Sequence, residues 1–155
     1  MASPASTRTA QTVKASPPAV YAAFMDPDVL MQWLPPPGMR GVLHRFDGRV
    51  GGGYVLSLFY SEEETRFRGK TADREDRIEV RFLELDPARR IVEAVTFVSD
   101  DPVFAGEMRV EIGFAAVPAG TEVIFRCTDL PPGLKPDDNA TGTRLSLQQL
   151  ADRFE

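Results

Sequence analysis

The segment SPPAVYAAFMDPDVLMQWLPPP (residues 16–37) decides how the fold begins, because it contains two helix starts and one firm stop. Ser16 is a natural N-cap, and a proline follows it at the first helical position, where a missing N–H costs nothing. Asp26 and the proline after it repeat this signal. The prolines at 35–37 end the second helix, since proline removes a donor and disfavours the α conformation in the residue before it. The segment therefore predicts two short helices in succession.

The sequence on either side of this segment alternates between apolar and polar side chains with period 2, which is typical of strands. A weak alternation precedes it at residues 8–15, and six further stretches follow it, at residues 42–47, 54–60, 78–82, 91–98, 107–117 and 121–129. The links between these six stretches are mostly short, so consecutive strands are expected to pair as an antiparallel meander.

From about residue 137 the period of the apolar pattern changes to 3.6, which predicts a C-terminal helix. Leu147, Leu150, Ala151 and Phe154 then share one face at i, i+3, i+4 and i+7. A single sheet must cover its apolar face, and only this helix is long enough to do so. The sequence therefore predicts an α+β fold, a curved antiparallel sheet of about seven strands wrapped around a long C-terminal helix, with two short helices after the first strand.

Length and composition predict one domain over residues 8–155, preceded by a disordered tail at residues 1–7. The chain has 155 residues, 43% of them apolar, and about 69% of its unfolded surface can be buried at this size. One cysteine, Cys127, and one histidine, His44, argue against an internal disulfide and against the usual zinc ligand sets. We therefore expect no metal and no cofactor.

The charge balance and the apolar pattern also limit the partners. The chain has 18 basic and 23 acidic residues, which argues against a nucleic-acid surface. No apolar stretch approaches the length of a membrane span, and the N-terminal residues lack the apolar core of a secretory signal. We expect a cytoplasmic protein with no nucleic-acid and no membrane partner.

Five stretches, in this order along the chain, resemble the START-like SRPBCC superfamily, and more closely the heat-shock-protein-90 ATPase activator-like family. They are AVYAAFMDPDVLMQWL (19–34), FDGRVGGGY (46–54), FLELDPARRIVEAV (82–95), AGTEV (119–123) and DNATGTRLSLQQLA (138–151). The resemblance implies a helix-grip fold with an apolar cavity between sheet and C-terminal helix, able to hold a lipid-, sterol- or polyketide-like molecule. It also implies a link to the stress response. Because some superfamily members are cyclases or hydrolases and others only bind, the fold does not choose among activities.

We predict the walls of such a cavity from residues that share the inward faces of strands and helices. Trp33 belongs to the helix pair that the resemblance places at the cavity mouth, and Gly142 leaves space on the C-terminal helix or serves its packing. Cys127 alternates with apolar residues, which favours a small buried hydrophobe over a nucleophile. The predicted ligand-binding residues are Trp33, His44, Tyr54, Leu56, Leu58, Glu93, Phe97, Phe114 and Gly142.

His44 is expected to point inward, because the register that buries Val42 and Phe46 also turns His44 to the core. The opposite register would bury Arg45 and Asp47. A wall histidine with satisfied hydrogen bonds is favoured over a catalytic acid or base.

Glu93 belongs to a strand whose two faces are both apolar. Ile91, Val95 and Phe97 share its face, and burial there would raise the pKa of its carboxyl. The opposite face of the strand is apolar enough to be packed as well. Glu93 can therefore point into the core or to solvent, and the solvated orientation is slightly favoured.

These observations lead to three hypotheses. The first is a binding module for a small hydrophobic molecule. The second is a cyclase- or hydrolase-type enzyme that uses Glu93 or His44 as acid or base, and the pattern favours it less than the binder. The third is a co-chaperone-like interaction domain, for which a chaperone or a second copy of the chain is the partner.

Overall fold

The computed structural model describes residues 5–60 and 75–155. The elements in these ranges are β1 (Ala5–Val13), α1 (Pro17–Met25), α2 (Pro27–Trp33), β2 (Met39–Asp47), β3 (Gly53–Tyr60), β4 (Glu75–Asp86), β5 (Arg90–Phe97), a 3₁₀ turn (Pro102–Phe104), β6 (Glu107–Val117), β7 (Gly120–Leu130) and α3 (Pro136–Asp152). The seven strands form one antiparallel sheet, in the order β1-β7-β6-β5-β4-β3-β2, so β2 to β7 make the predicted meander. The fold class predicted from the sequence is confirmed.

The two short helices begin at the predicted caps. The Ser16 hydroxyl accepts a hydrogen bond from the Ala19 N–H at 3.4 Å, and α1 follows it. One carboxylate oxygen of Asp26 accepts from the N–H groups of Asp28 and Val29, so a single residue separates the end of α1 from the start of α2. Side-chain caps satisfy donors that a helix start leaves without partners. The local sequence therefore determines both helix starts.

Strand β1 begins at Ala5, three residues earlier than the predicted first strand. Ala5 pairs with Leu130 and Thr7 with Cys127, so residues 5–7 do not belong to a disordered tail. The Thr7 hydroxyl also donates to the Asn139 side chain on α3 at 2.5 Å. Pairing with β7 and this contact order a stretch that is small and polar in sequence. Residues 1–4 of the predicted tail lie outside the described residues.

Strand β2 contains a bulge that reverses the predicted direction of His44. Leu43 pairs with Leu56 and Phe46 with Tyr54, with a register shift between Leu43 and Arg45. A bulge inserts one extra residue and moves the following side chains to the other face. The inward residues are thus Leu43 and Phe46, and His44 is exposed on the outer face. The prediction that His44 points to the core is therefore wrong.

The core lies between the concave face of the sheet and the helices. Leu147, Leu150 and Ala151 of α3 are buried there, as the apolar pattern predicts. The Ser146 hydroxyl donates to the Leu34 carbonyl at 2.6 Å, which ties α3 to the end of α2. In the ranges given above, no helix is long and apolar enough to span a membrane.

Candidate functional site

A cavity of about 240 Å³ lies between the concave face of the sheet, the end of α2 and one face of α3. Its wall is mostly apolar and aromatic, as is usual for sites that bind small molecules. The side chains that line it are Phe24, Leu30, Trp33, Leu34, Pro36, Met39, Tyr54, Leu56, Leu58, Asp76, Ile78, Val80, Phe82, Ile91, Glu93, Val95, Phe97, Met108, Val110, Ile112, Phe125, Cys127, Leu134, Asp138, Asn139, Thr143 and Ser146, with the backbone of Gly142.

The structure brings together most of the residues that the sequence predicted for a cavity wall. Those that line the cavity are Trp33, Tyr54, Leu56, Leu58, Glu93, Phe97 and Gly142. His44 and Phe114 are not among the lining residues.

Phe114 lies beneath α1, beyond the end of the cavity. Its ring meets Tyr21 edge-on at a centroid distance of 5.7 Å and Phe24 at 5.2 Å. Phe24 itself lines the cavity. The residues of β6 before Phe114 share its face and do reach the cavity. Alternation along β6 therefore predicts the correct face, but it does not show where α1 covers the strand.

His44 belongs to a polar cluster on the outer face of the sheet. Its Nε2 lies 2.9 Å from Ser57 Oγ and 3.1 Å from an Arg77 guanidinium nitrogen. The Ser57 hydroxyl donates to Glu75 at 2.6 Å, and Ser57 has no exposed surface. His44 and Ser57 both lie on the face of the sheet opposite the cavity, and neither lines it. His44 is therefore no longer a candidate acid or base for chemistry in the cavity.

Glu93 faces the cavity from the middle of β5. It pairs with Phe82 on β4 and with Val110 on β6, which both line the cavity, and only 7% of its surface is exposed. Within the described part of the chain, its carboxyl group has no hydrogen-bond or ion-pair partner. Burial raises the pKa of Glu93 to about 8, so the group is mostly protonated at neutral pH.

The solvated register, which the sequence slightly favoured for Glu93, is wrong because ion pairs cover the opposite face of β5. Val92 points to that face and is 1% exposed. Arg90 spans the strand there and forms ion pairs with Glu84 at 3.0 Å and Glu111 at 3.1 Å. Long charged side chains can bury apolar surface beneath their stems. Apolar residues on both faces therefore do not conflict with an inward Glu93.

Two further groups of the cavity wall are held in their neutral forms. Burial, and to a smaller extent the charge of Glu93, raises the pKa of Tyr54 well above its usual value. Burial likewise raises the pKa of the Cys127 thiol, which is 2% exposed. Cys127 therefore has the character of a small apolar side chain.

Trp33 is fixed by hydrogen bonds that leave its ring free to contact a ligand. Its indole N–H donates to the Ala23 carbonyl at 3.0 Å, and the side chain is fully buried. From α3, the Gln149 amide donates to the carbonyls of Trp33 at 2.8 Å and Pro35 at 2.7 Å. The ring therefore has one defined orientation at the cavity wall.

The polar side of the cavity, which α3 provides, was not predicted from the sequence. The polar side chains of α3 that line the cavity recur at a spacing that places them on one helical face. This repeat is the signal in the sequence that indicates them. Gly142 lies on the same face, and a Cβ added there would meet no atom within 4 Å. The missing residues are Asp138, Asn139, Thr143 and Ser146.

An antiparallel sheet that holds a C-terminal helix, with an apolar cavity between the two, defines a START-like helix-grip domain. The chain belongs to the family of Activator of Hsp90 ATPase homolog 1-like proteins, whose model matches residues 14–155.

Solved structures show the same architecture. A protein of Chromobacterium violaceum is 31% identical, with a TM-score of 0.83 over 98% of this chain and 99% of that one. An AHSA1 protein of Silicibacter pomeroyi is 19% identical, with a TM-score of 0.75 over 96% of each chain. An AHSA1-like protein of Aeromonas hydrophila is 18% identical, with a TM-score of 0.70 over 96% of this chain and 90% of that one. The last two resemble this chain in fold alone. No protein with a curated function matches the chain.

Proposed function

We propose that this protein binds a small hydrophobic molecule in the cavity between the sheet and α3. The observation that carries the proposal is an apolar space of about 240 Å³ that no side chain of the described residues fills. Protein interiors are normally close-packed, so an apolar space of this size between the sheet and a helix is typical of a ligand site. A ligand that fills the space would remove the apolar wall from water, which is favourable.

The volume of the cavity favours the smaller molecules of the predicted classes. An apolar cavity of about 150 Å³ holds benzene, and drug-sized ligands occupy about 300–1,000 Å³. A volume of about 240 Å³ suits two fused rings or a medium-length alkyl chain. We therefore expect a compact lipid- or polyketide-like molecule, with a full sterol as the less suitable occupant.

Two neutral O–H groups inside the apolar wall support an oriented ligand. The Tyr54 hydroxyl and the protonated Glu93 carboxyl face the same space, and neither has a hydrogen-bond partner in the described residues. A few polar groups in an apolar cavity typically fix the direction in which a ligand enters. Loss of either group should weaken binding without abolishing it.

An acid-catalysed reaction is the second candidate, and Glu93 is the observation that favours it. A carboxyl with a pKa of about 8 holds its proton at neutral pH and can donate it to a bound substrate. A binding module and an enzyme differ in turnover, because a removed general acid lowers the rate about 10²–10⁴-fold.

The interaction-domain hypothesis needs a contiguous apolar patch on the surface of the protein. The large exposed apolar side chains of the described residues (Val50, Leu83, Val98, Val103 and Leu145) lie on different segments.

Native mass spectrometry of the purified protein tests the binding function. Gly142→Leu places a side chain at the cavity wall, whereas Thr141→Leu adds the same side chain at the exposed neighbouring position. We expect a copurified small molecule, or added octan-1-ol, on the wild type and on Thr141→Leu but not on Gly142→Leu. Failure of all three proteins to retain any molecule, together with no saturable octan-1-ol binding, would overturn the proposal.

A further inference from the structure

The described part of the cavity wall contains acidic side chains, and one of them, Glu93, is buried and faces the cavity. Asp76, Glu93 and Asp138 line it, and among the described lining residues there is no lysine, arginine or histidine. Asp76 is engaged by the Tyr60 hydroxyl at 2.8 Å, and Asp138 is exposed at the first turn of α3. Glu93 differs from both, because it is buried and has no partner in the described part of the chain.

Among the residues that the structure describes, no positively charged group lines the cavity beside Glu93. The titratable groups that its charge affects are Tyr54 on β3 and Cys127 on β7, and burial keeps both neutral. Its partners across the sheet, Phe82 and Val110, are apolar. A buried acid without a partner costs free energy that an apolar side chain at this position would avoid. The arrangement fits a positively charged partner that arrives with the ligand.

We propose that the ligand is a lipophilic amine whose ammonium group pairs with the Glu93 carboxylate while its apolar body fills the cavity. This inference rests on the proposed binding function. The same wall contains the aromatic side chains of Tyr54, Phe82 and Phe97, and aromatic rings attract a cation that lies over their faces. Asp138 in the same wall adds a second carboxylate, which attracts a cation and repels a carboxylate ligand such as a fatty acid.

The pairing has a proton balance that can be measured. In the free protein at neutral pH, Glu93 holds a proton because burial raises its pKa to about 8. When an ammonium ion enters, it keeps its own protons, and Glu93 releases one proton to solvent. Amine affinity should therefore rise about tenfold per pH unit from pH 6 to pH 8 and then level off, whereas an alcohol should show no such rise.

Isothermal titration with three octyl probes tests the inference in about 0.15 M salt, which screens non-specific attraction to the acidic surface. The probes are octylamine, octan-1-ol and octanoate, which share one alkyl chain. At pH 8.5 we expect octylamine to bind about ten- to a hundredfold more tightly than the other two, the range of a charge-assisted hydrogen bond. At pH 7, titrations in two buffers of different ionisation enthalpy should show release of about one proton per amine and none per alcohol.

The variant Glu93→Gln keeps the shape of the side chain and removes its charge. We expect it to lose the amine preference and the proton release while still binding octan-1-ol. The control Asp137→Asn removes an exposed carboxylate from the same turn of α3 as Asp138, outside the cavity wall, and should keep both. Equal or tighter binding of octan-1-ol or octanoate by the wild type, or an amine preference that survives in Glu93→Gln, would overturn the inference and leave the binding function intact. No binding of any probe would contradict both.

Discussion

Glu93 and Tyr54 face the same cavity from β5 and β3, and burial, with a smaller contribution from the charge of Glu93, raises the pKa of the Tyr54 hydroxyl although β4 lies between the two strands. Burial keeps both groups neutral at pH 7. The concave face thus combines an apolar wall with two hydrogen-bond donors.

The buried Glu93 predicts how stability depends on pH. Its pKa is about 8 in the folded state and near the usual 4.5 in the unfolded state, so between these values the folded state holds the extra proton. The free energy of unfolding contributed by this group therefore falls as pH rises from 4.5 to 8. Relative to Glu93→Gln, the wild type should lose on the order of 4 kcal/mol between pH 5 and pH 8. Urea unfolding of both proteins across this range measures the difference, and parallel pH profiles would contradict it.

Gly142 predicts a stabilising substitution. It lies inside α3, and a Cβ at this position meets no atom within 4 Å. Because alanine is favoured over glycine within a helix, Gly142→Ala should raise the free energy of unfolding by about 1 kcal/mol. Thermal and urea unfolding provide the measurement. A destabilised variant would show that the space beside Gly142 is smaller than the structure indicates.

Gln149 predicts a stability difference between two neighbouring glutamines on α3. Its amide donates to the carbonyls of Trp33 and Pro35, whereas Gln148 is exposed and contacts Asp152. Gln149→Ala should cost about 1–3 kcal/mol for two lost hydrogen bonds, and Gln148→Ala less than about 0.5 kcal/mol. Trp33 fluorescence during urea unfolding reports both values. Equal losses in the two variants would argue against a tie between α3 and the end of α2.

His44 predicts a neutral result for ligand binding. Because the bulge in β2 turns His44 to the outer face, His44→Ala should bind octan-1-ol with the wild-type affinity. Leu56→Ala, which opens the cavity wall directly opposite the bulge, should bind it with altered affinity. Isothermal titration compares the two. Weaker binding by His44→Ala at unchanged stability would place the histidine at the site after all.

The parts of the fold that the sequence predicts are those that depend on local interactions. The caps at Ser16 and Asp26 determine both short helices, and the alternation of apolar residues determines the strands and the antiparallel order. The prediction of a disordered tail is wrong at residues 5–7, because Thr7 pairs with β7 and contacts α3. Partners distant in the chain leave no local signal.

The same distinction between local and distant interactions separates the site residues that the sequence predicts from those that it does not. Strand alternation predicts the inward faces at Tyr54, Leu56 and Leu58, because the period of a strand is regular there. It fails at His44, where a bulge changes the register, and it does not choose a side for Glu93. The choice depends on Arg90 and its ion pairs, which cover the outer face of β5. Such a cover forms only once the neighbouring strands are in place.

The most direct test of the central claim is to map octan-1-ol onto the protein by NMR of methyl groups. Ile91 and Val110 line the cavity, whereas Val92 lies on the outer face of the same sheet and is equally buried. We predict saturable shift changes and ligand contacts at the methyl groups of Ile91 and Val110, with none at Val92. Contacts confined to the outer face, or no saturable change at any methyl group, would contradict a hydrophobic ligand site in the cavity.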